Sequence, residues 1–241
     1  MTIHRLLILL LAFIFALPSL ADTLLIGAGA GYKRPVSELS SAFEKKTGIR
    51  VEQIYGHMGG VVSQAKQSGQ VAVIFGDQAF LAKVDGLAFA KFLPVGDGRL
   101  VVAWPKGSDL KSPAALSEAR FARIAIPDTK SAIYGIAASE FIQRNNLAAA
   151  LKDKLQIVAT VPQVSAYLIS GEVDAGFINL TEALAIRDKI GGYLELDPNY
   201  YNRIRIVAGV VEGFGEQAGV RQLQQFMETP EARSILDKHG L

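Results

Sequence analysis

The sequence predicts an α/β protein of two lobes, each a mainly parallel sheet flanked by helices, with two crossover strands joining them. Three observations carry this. Short apolar runs alternate with stretches of helical periodicity, the rhythm of βαβ units. The rhythm occurs twice, before and after an interruption at residues 93–99. No Pro-rich or low-complexity stretch separates the halves, so a flexible tether is not expected.

In the first half, strands are expected at 24–28, 51–55 and 71–75, with helices at 35–47, 60–67 and 77–83. Gly48 and Gly69 follow the first two helices, where glycine takes the left-handed closing position. Residues 93–99 read as a crossover into a strand at 100–104, which Pro105-Lys106-Gly107 closes. The second series has strands at 123–126, 156–159 and 173–178 and helices at 134–145 and 162–169. Residues 193–201 are turn-rich and expected at the surface, and 203–211 is a long apolar strand that carries the chain back. Two amphipathic segments finish the chain, one with Val220, Leu223, Phe226 and Met227 on a single face, the other at 230–239. The expected lobes are 22–100 with 206–241, and 101–205.

The N-terminus has the form of an export signal: Arg5, an apolar run at 6–17, then Ser19-Leu20-Ala21 as a small-x-small cleavage site. The mature chain is expected to begin near Asp22 and to be periplasmic. No cysteine follows the apolar run or occurs anywhere in the chain, so neither a lipid anchor nor a disulfide is implied. Losing residues 1–21 removes one arginine and no acid, taking the formal charge from +2 to about +1. Such a balance argues against nucleic acid or an anionic membrane as partner. Roughly 220 residues remain, enough for a substantial core.

The stretch Ile26-Gly27-Ala28-Gly29-Ala30-Gly31-Tyr32-Lys33-Arg34-Pro35 ends the first strand and opens the first helix, with Gly29 to Arg34 as the loop and Pro35 in that helix's first turn. Strand ends of this kind gather backbone N–H groups and helix N-termini, which suit an anion. A dinucleotide fingerprint is excluded: the glycines alternate, and no carboxylate ends the second strand. The glycines also fit a plain tight turn.

From here the order of motifs resembles the periplasmic molybdate-binding proteins of ABC importers, members of the type II periplasmic solute-binding family. The likeness covers the mature chain. It is carried by Val36-Ser37-Glu38-Leu39, Phe43-Glu44-Lys45-Lys46-Thr47-Gly48, Tyr55-Gly56-His57-Met58-Gly59-Gly60, Ile74-Phe75-Gly76-Asp77, Asp128-Thr129-Lys130-Ser131-Ala132-Ile133-Tyr134-Gly135, and Ser170-Gly171-Glu172-Val173-Asp174-Ala175-Gly176-Phe177 running into Asn179-Leu180-Thr181-Glu182-Ala183. The resemblance implies an oxyanion held by two serine hydroxyls, backbone N–H groups and a tyrosine. Those serine positions fall at Gly31 and Gly60, the backbone donors near Tyr134 and Val161, and the tyrosine at Asn179. Losing a hydrogen bond to a charged group costs about 1.5–3 kcal/mol, so the site is either re-equipped or its ligand has changed.

The candidate ligand-binding set is therefore Gly31, Tyr32, Lys33, Arg34, His57, Gly59, Gly60, Tyr134, Val161 and Asn179. Each has a plainer reading beside it: Lys33 and Arg34 as solvated charges, His57 as a hydrogen-bonded loop residue, Tyr134 as lobe cover. Asp77, Asp128 and Asp174 read as helix caps or as partners of loop backbone, Trp104 and Phe75 as core. Met58 beside His57 makes two soft ligands, too few for a metal, and no metal or cofactor is expected. The expected function is a monomeric receptor that closes on a small molybdate- or tungstate-like oxyanion and delivers it to an ABC permease in the inner membrane. Closure would turn about the strands at 100–104 and 204–211. The alternatives are another small solute or a metal complex in the same cleft, or a sensor role. An enzyme is not expected, since the chain has no cysteine nucleophile and no G-x-S-x-G elbow.

Overall fold

The computed structural model describes residues 23–241. The export signal and the start at Asp22 lie outside them. From the N-terminus run β1 (Thr23–Gly29), a 3-10 turn (Ala30–Tyr32), α1 (Lys33–Thr47), β2 (Arg50–Gly56), α2 (Met58–Ser68), β3 (Val73–Asp77), α3 (Gln78–Leu81) and β4 (Phe89–Gly98). Then come β5 (Leu100–Trp104), β6 (Ile124–Pro127), α4 (Ile133–Arg144), α5 (Ala148–Leu151), β7 (Leu155–Val158), α6 (Val161–Ser170), β8 (Ala175–Asn179), α7 (Leu180–Ile186) and β9 (Gly192–Glu195). The chain ends with β10 (Ile204–Val211), α8 (Ala218–Met227) and α9 (Pro230–Lys238).

These strands form two five-stranded sheets, in the orders β2-β1-β3-β10-β4 and β7-β6-β8-β5-β9. The two-lobed α/β arrangement is the expected one, but each sheet is mixed. β1 pairs in parallel with β2 and β3, and β6 with β7 and β8, while β10 and β5 are antiparallel to both of their neighbours. The reason is the path of the chain. β5 has just arrived from the first sheet and β10 from the second, and each enters its new sheet reversed. The chain crosses at Arg99 and again in the stretch between β9 and β10.

The local stops follow the sequence. Gly48 and Gly69 close α1 and α2 at φ +75° and +61°. Where the expected crossover at 93–99 was read, the chain instead continues as β4 at the sheet edge. Ile206 and Val207 of β10 face Gly96 and Pro94, skipping Val95, so a bulge accommodates the proline. The 193–201 stretch is likewise not all surface turn: β9 pairs with β5, and buried Tyr201 accepts a hydrogen bond from Leu100 N–H at 3.2 Å through its hydroxyl. The helix expected at 77–83 shrinks to the single turn α3, whose cap is Asp77, accepting from Phe80 N–H at 2.9 Å.

The C-terminal helices return to the first sheet. Phe43 of α1 meets Phe226 of α8 edge to face at 5.8 Å. Glu38 of α1 receives Lys238 Nζ and His239 Nε2, each at 2.8 Å. Among the described residues no helix is long and apolar enough to cross a membrane.

Candidate functional site

The C-terminal ends of β1, β2, β6 and β7 point into the cleft between the sheets, and the segment after each one lines a single cavity of about 30 Å³. Residues 29–32 and 56–58 come from one lobe, 132–134 and 159–161 from the other. Each segment opens a helix or helical turn, whose first N–H groups have no partner within the helix. Four sets of orphan donors, at the positive ends of their helix dipoles, therefore face one small space. Among the described residues no Lys, Arg, Asp or Glu lines it.

The sequence builds each of these starts. His57 caps α2, its Nδ1 accepting from Gly60 N–H at 3.1 Å. Asp128 organises the loop before α4 by accepting from the backbone of Ser131 at 2.7 Å, from its hydroxyl at 2.7 Å, and from Lys130 N–H at 3.0 Å. The Ser131 hydroxyl, then the two backbone donors, hold the Asp128 carboxyl below the usual carboxylate range. Gly135 lets the helix come this close, since a Cβ there would lie 2.4 Å from the Pro127 carbonyl oxygen. Thr160 caps α6, accepting from Gln163 N–H at 3.4 Å, while Gln163 Oε1 accepts from Ala159 N–H at 3.1 Å. Pro162 follows in the first turn, where its missing N–H costs nothing.

Behind the cavity the Tyr32 and Tyr134 hydroxyls hydrogen-bond to each other across the lobes, both side chains being buried. Burial pushes the Tyr32 phenol well above its ordinary range, with the neighbouring Tyr134 adding to the effect. Burial likewise raises Tyr134, although the bond to Tyr32 opposes the shift. Both phenols therefore stay neutral and protonated.

Of the candidate residues, Gly31, Tyr32, His57, Tyr134 and Val161 line the cavity. Asn179 stands just behind it, fully buried, with Nδ2 donating to the Gly31 carbonyl at 3.1 Å. Gly59 and Gly60 lie in the first turn of α2 beside it, under the His57 ring. Lys33 and Arg34 do not reach the cavity. The Lys33 ammonium sits 5.8 Å from the centre of the Tyr55 ring, and Arg34 forms an ion pair with the buried carboxylate of Glu182 on α7. A cation already paired with a buried acid in the opposite lobe is not available to a ligand.

The two positions where serine was implied are filled from elsewhere. A Cβ at Gly31 would stand 3.3 Å from Asn179 Oδ1, and one at Gly60 would stand 3.2 Å from His57 Nε2. An amide and an imidazole thus occupy the space beside the two glycines. Sequence reasoning passed over Thr160, although Thr160-Val161-Pro162-Gln163 has the capping-box pattern that marks a helix start. Met58, read from the sequence as packing and not as half of a metal site, is 1% exposed, and a Cβ at Gly76 would lie 2.7 Å from its Cε, so it packs the first lobe. Among the described residues no three His, Asp or Glu side chains gather as a metal site.

Comparison with known proteins agrees with the two-lobed α/β fold. The chain is 27% identical over 234 residues to the molybdate-binding protein ModA of Rhodobacter capsulatus, covering 93% of this chain and 90% of that one. The solved periplasmic molybdate-binding protein of Azotobacter vinelandii superposes with a TM-score of 0.80 at 25% identity, over 90% of this chain and 97% of that one. The sulfate-binding protein SubI of Mycobacterium tuberculosis shares the fold, with a TM-score of 0.70 at 13% identity over 91% and 86% of the two chains. The model of the bacterial extracellular solute-binding proteins matches residues 24–241, essentially every residue described, and the chain belongs to that family.

Proposed function

We propose that the protein is the exported, periplasmic receptor of an ABC importer, and that its lobes close on a small tetrahedral oxyanion of the molybdate or tungstate type for delivery to an inner-membrane permease. The observation that carries this is the convergence of four helical N-termini, two from each lobe, on a cavity without charged side chains. A dianion can be held there by backbone N–H groups and dipoles alone, its charge spread over several hydrogen bonds. At about 30 Å³ the cavity has room for roughly two or three water-sized groups. That suits a small ion better than a sugar or an amino acid. Both halves of the site come from one chain, so a monomer is sufficient.

The similarity to molybdate-binding proteins supports the same ligand. The glycines at 31 and 60 favour a second reading, another small anion in the same cleft, because the hydroxyls implied by the resemblance are absent. The family is one of solute-binding proteins, and we assign the site no reaction. Calorimetric titration of the ligand-stripped protein with molybdate, tungstate, sulfate and phosphate tests the proposal. Saturable one-to-one binding of molybdate or tungstate is expected. A flat response to all four would overturn the oxyanion reading.

A further inference from the structure

We infer that His57 and Thr160 are the side-chain donors that grip the ligand from opposite lobes, and that each is held in its donor form by the helix it caps. The inference rests on the oxyanion reading above and gives it named side chains. His57 lines the cavity from the first lobe and Thr160 from the second. In a neutral imidazole one ring nitrogen accepts and the other carries the proton. Nδ1 accepts from the Gly60 N–H at 3.1 Å, a donor shared with the His57 carbonyl at 3.0 Å, so the proton belongs on Nε2, which has no hydrogen-bond partner among the described residues. The same logic applies to Thr160, whose oxygen accepts from Gln163 N–H at 3.4 Å and whose proton is left to donate.

Both side chains offer a hydrogen-bond donor, and no side-chain carboxylate or amide oxygen lines the cavity. Such a site favours an anion that needs only donors. An anion with its own O–H, such as hydrogen phosphate, would have to bury that proton against the tyrosine oxygens or backbone carbonyls. The pairing also explains how the cleft operates without serines at Gly31 and Gly60. The imidazole stands over Gly60, and Thr160 lines the cavity from the other lobe.

The test uses the full exported protein, sodium molybdate as ligand, and thermal melting beside calorimetry. His57→Asn keeps a favoured capping residue but is shorter, so its amide leaves no N–H at the position of Nε2. Thr160→Ala removes both cap and donor, and Thr160→Ser restores both. His57→Asn and Thr160→Ala are each expected to weaken molybdate binding about 10- to 100-fold, with Thr160→Ser within about threefold of wild type. Melting should separate the two losses, because His57→Asn changes affinity with little change in stability. Sulfate is expected to bind wild type at least about 10-fold more tightly than phosphate at pH 7. Wild-type affinity in a folded His57→Asn or Thr160→Ala variant, or a preference for phosphate, would overturn the donor roles while leaving the oxyanion reading intact. Failure of wild type to take up any oxyanion would overturn that reading and the inference with it.

Discussion

At the scale of single residues, Gly98 decides how closely the lobes approach. It ends β4 beside the tyrosine pair, and a Cβ there would lie 2.8 Å from Ile204 Cγ2 and 2.9 Å from the Tyr32 hydroxyl. Both neighbours are buried and have little room to retreat. Gly98→Ala should therefore part the tyrosine hydroxyls and cost roughly 1–3 kcal/mol. Urea unfolding would measure this, and an unchanged midpoint would mean the packing has slack at that point. Asn179 makes the complementary case. Its Nδ2 is spent on Gly31, and its buried Oδ1 has no partner among the described residues. Tyr32 and Tyr134 could be picked out from the sequence because each lies at a helix start. That Asn179 would turn toward Gly31 could not, since the two are 148 residues apart and meet only across the cleft.

Among the elements, the docking of α9 onto α1 carries a pH signature. Hydrogen bonds from Lys238 and then His239 hold the Glu38 carboxyl below its usual range. A lowered carboxylate contributes stability above its unfolded pKa, near 4.3, and loses it as pH falls through the folded value. Asp97, held down chiefly by Arg203, adds in the same direction. The carboxylates are partly exposed to solvent, so the contribution is small. Glu38→Gln should cost about 0.5 kcal/mol at pH 7, and its unfolding curve should converge with that of wild type below pH 4. A difference that persisted in acid would point to packing instead of charge. The elements also mark where local pattern fails. β4 passes Pro94 because an edge strand tolerates a bulge, and β9 is four residues long, stabilised by a partner strand about 90 residues earlier. Neither signal is local.

For the whole molecule, three polar contacts among the described residues tie the lobes together: Tyr32 to Tyr134, Asn179 to Gly31, and Arg34 to Glu182. The last is asymmetric, with the Glu182 side chain 4% exposed and the Arg34 side chain 47%. Opening the cleft takes the arginine away from a carboxylate with poor access to water, which favours the closed form. Arg34→Ala should therefore open the ligand-free protein, raising the radius of gyration in solution X-ray scattering and weakening oxyanion binding without touching the anion. Arg34→Ala with Glu182→Gln should be milder than Arg34→Ala alone, because a neutral amide needs no counter-ion. Identical scattering from wild type and both variants would remove the pair from any role in closure.

The sequence by itself determined the elements whose causes lie within a few residues. These include the alternation of strands and helices, the glycine stops after α1 and α2, and the loops that open helices onto the cleft. It also pointed to helix starts as the place of the candidate site, because Gly29 to Tyr32 and Ile133 to Tyr134 sit at strand-to-helix junctions. Only the tertiary structure decided what those loops meet. The reversed entry of β5 and β10, the diversion of Arg34 to Glu182, and the filling of the spaces beside Gly31 and Gly60 by Asn179 and His57 all depend on contacts between distant segments. Backbone preference and periodicity act within a turn or a strand, whereas a pocket between two lobes is set by whichever side chains the chain brings back to face each other.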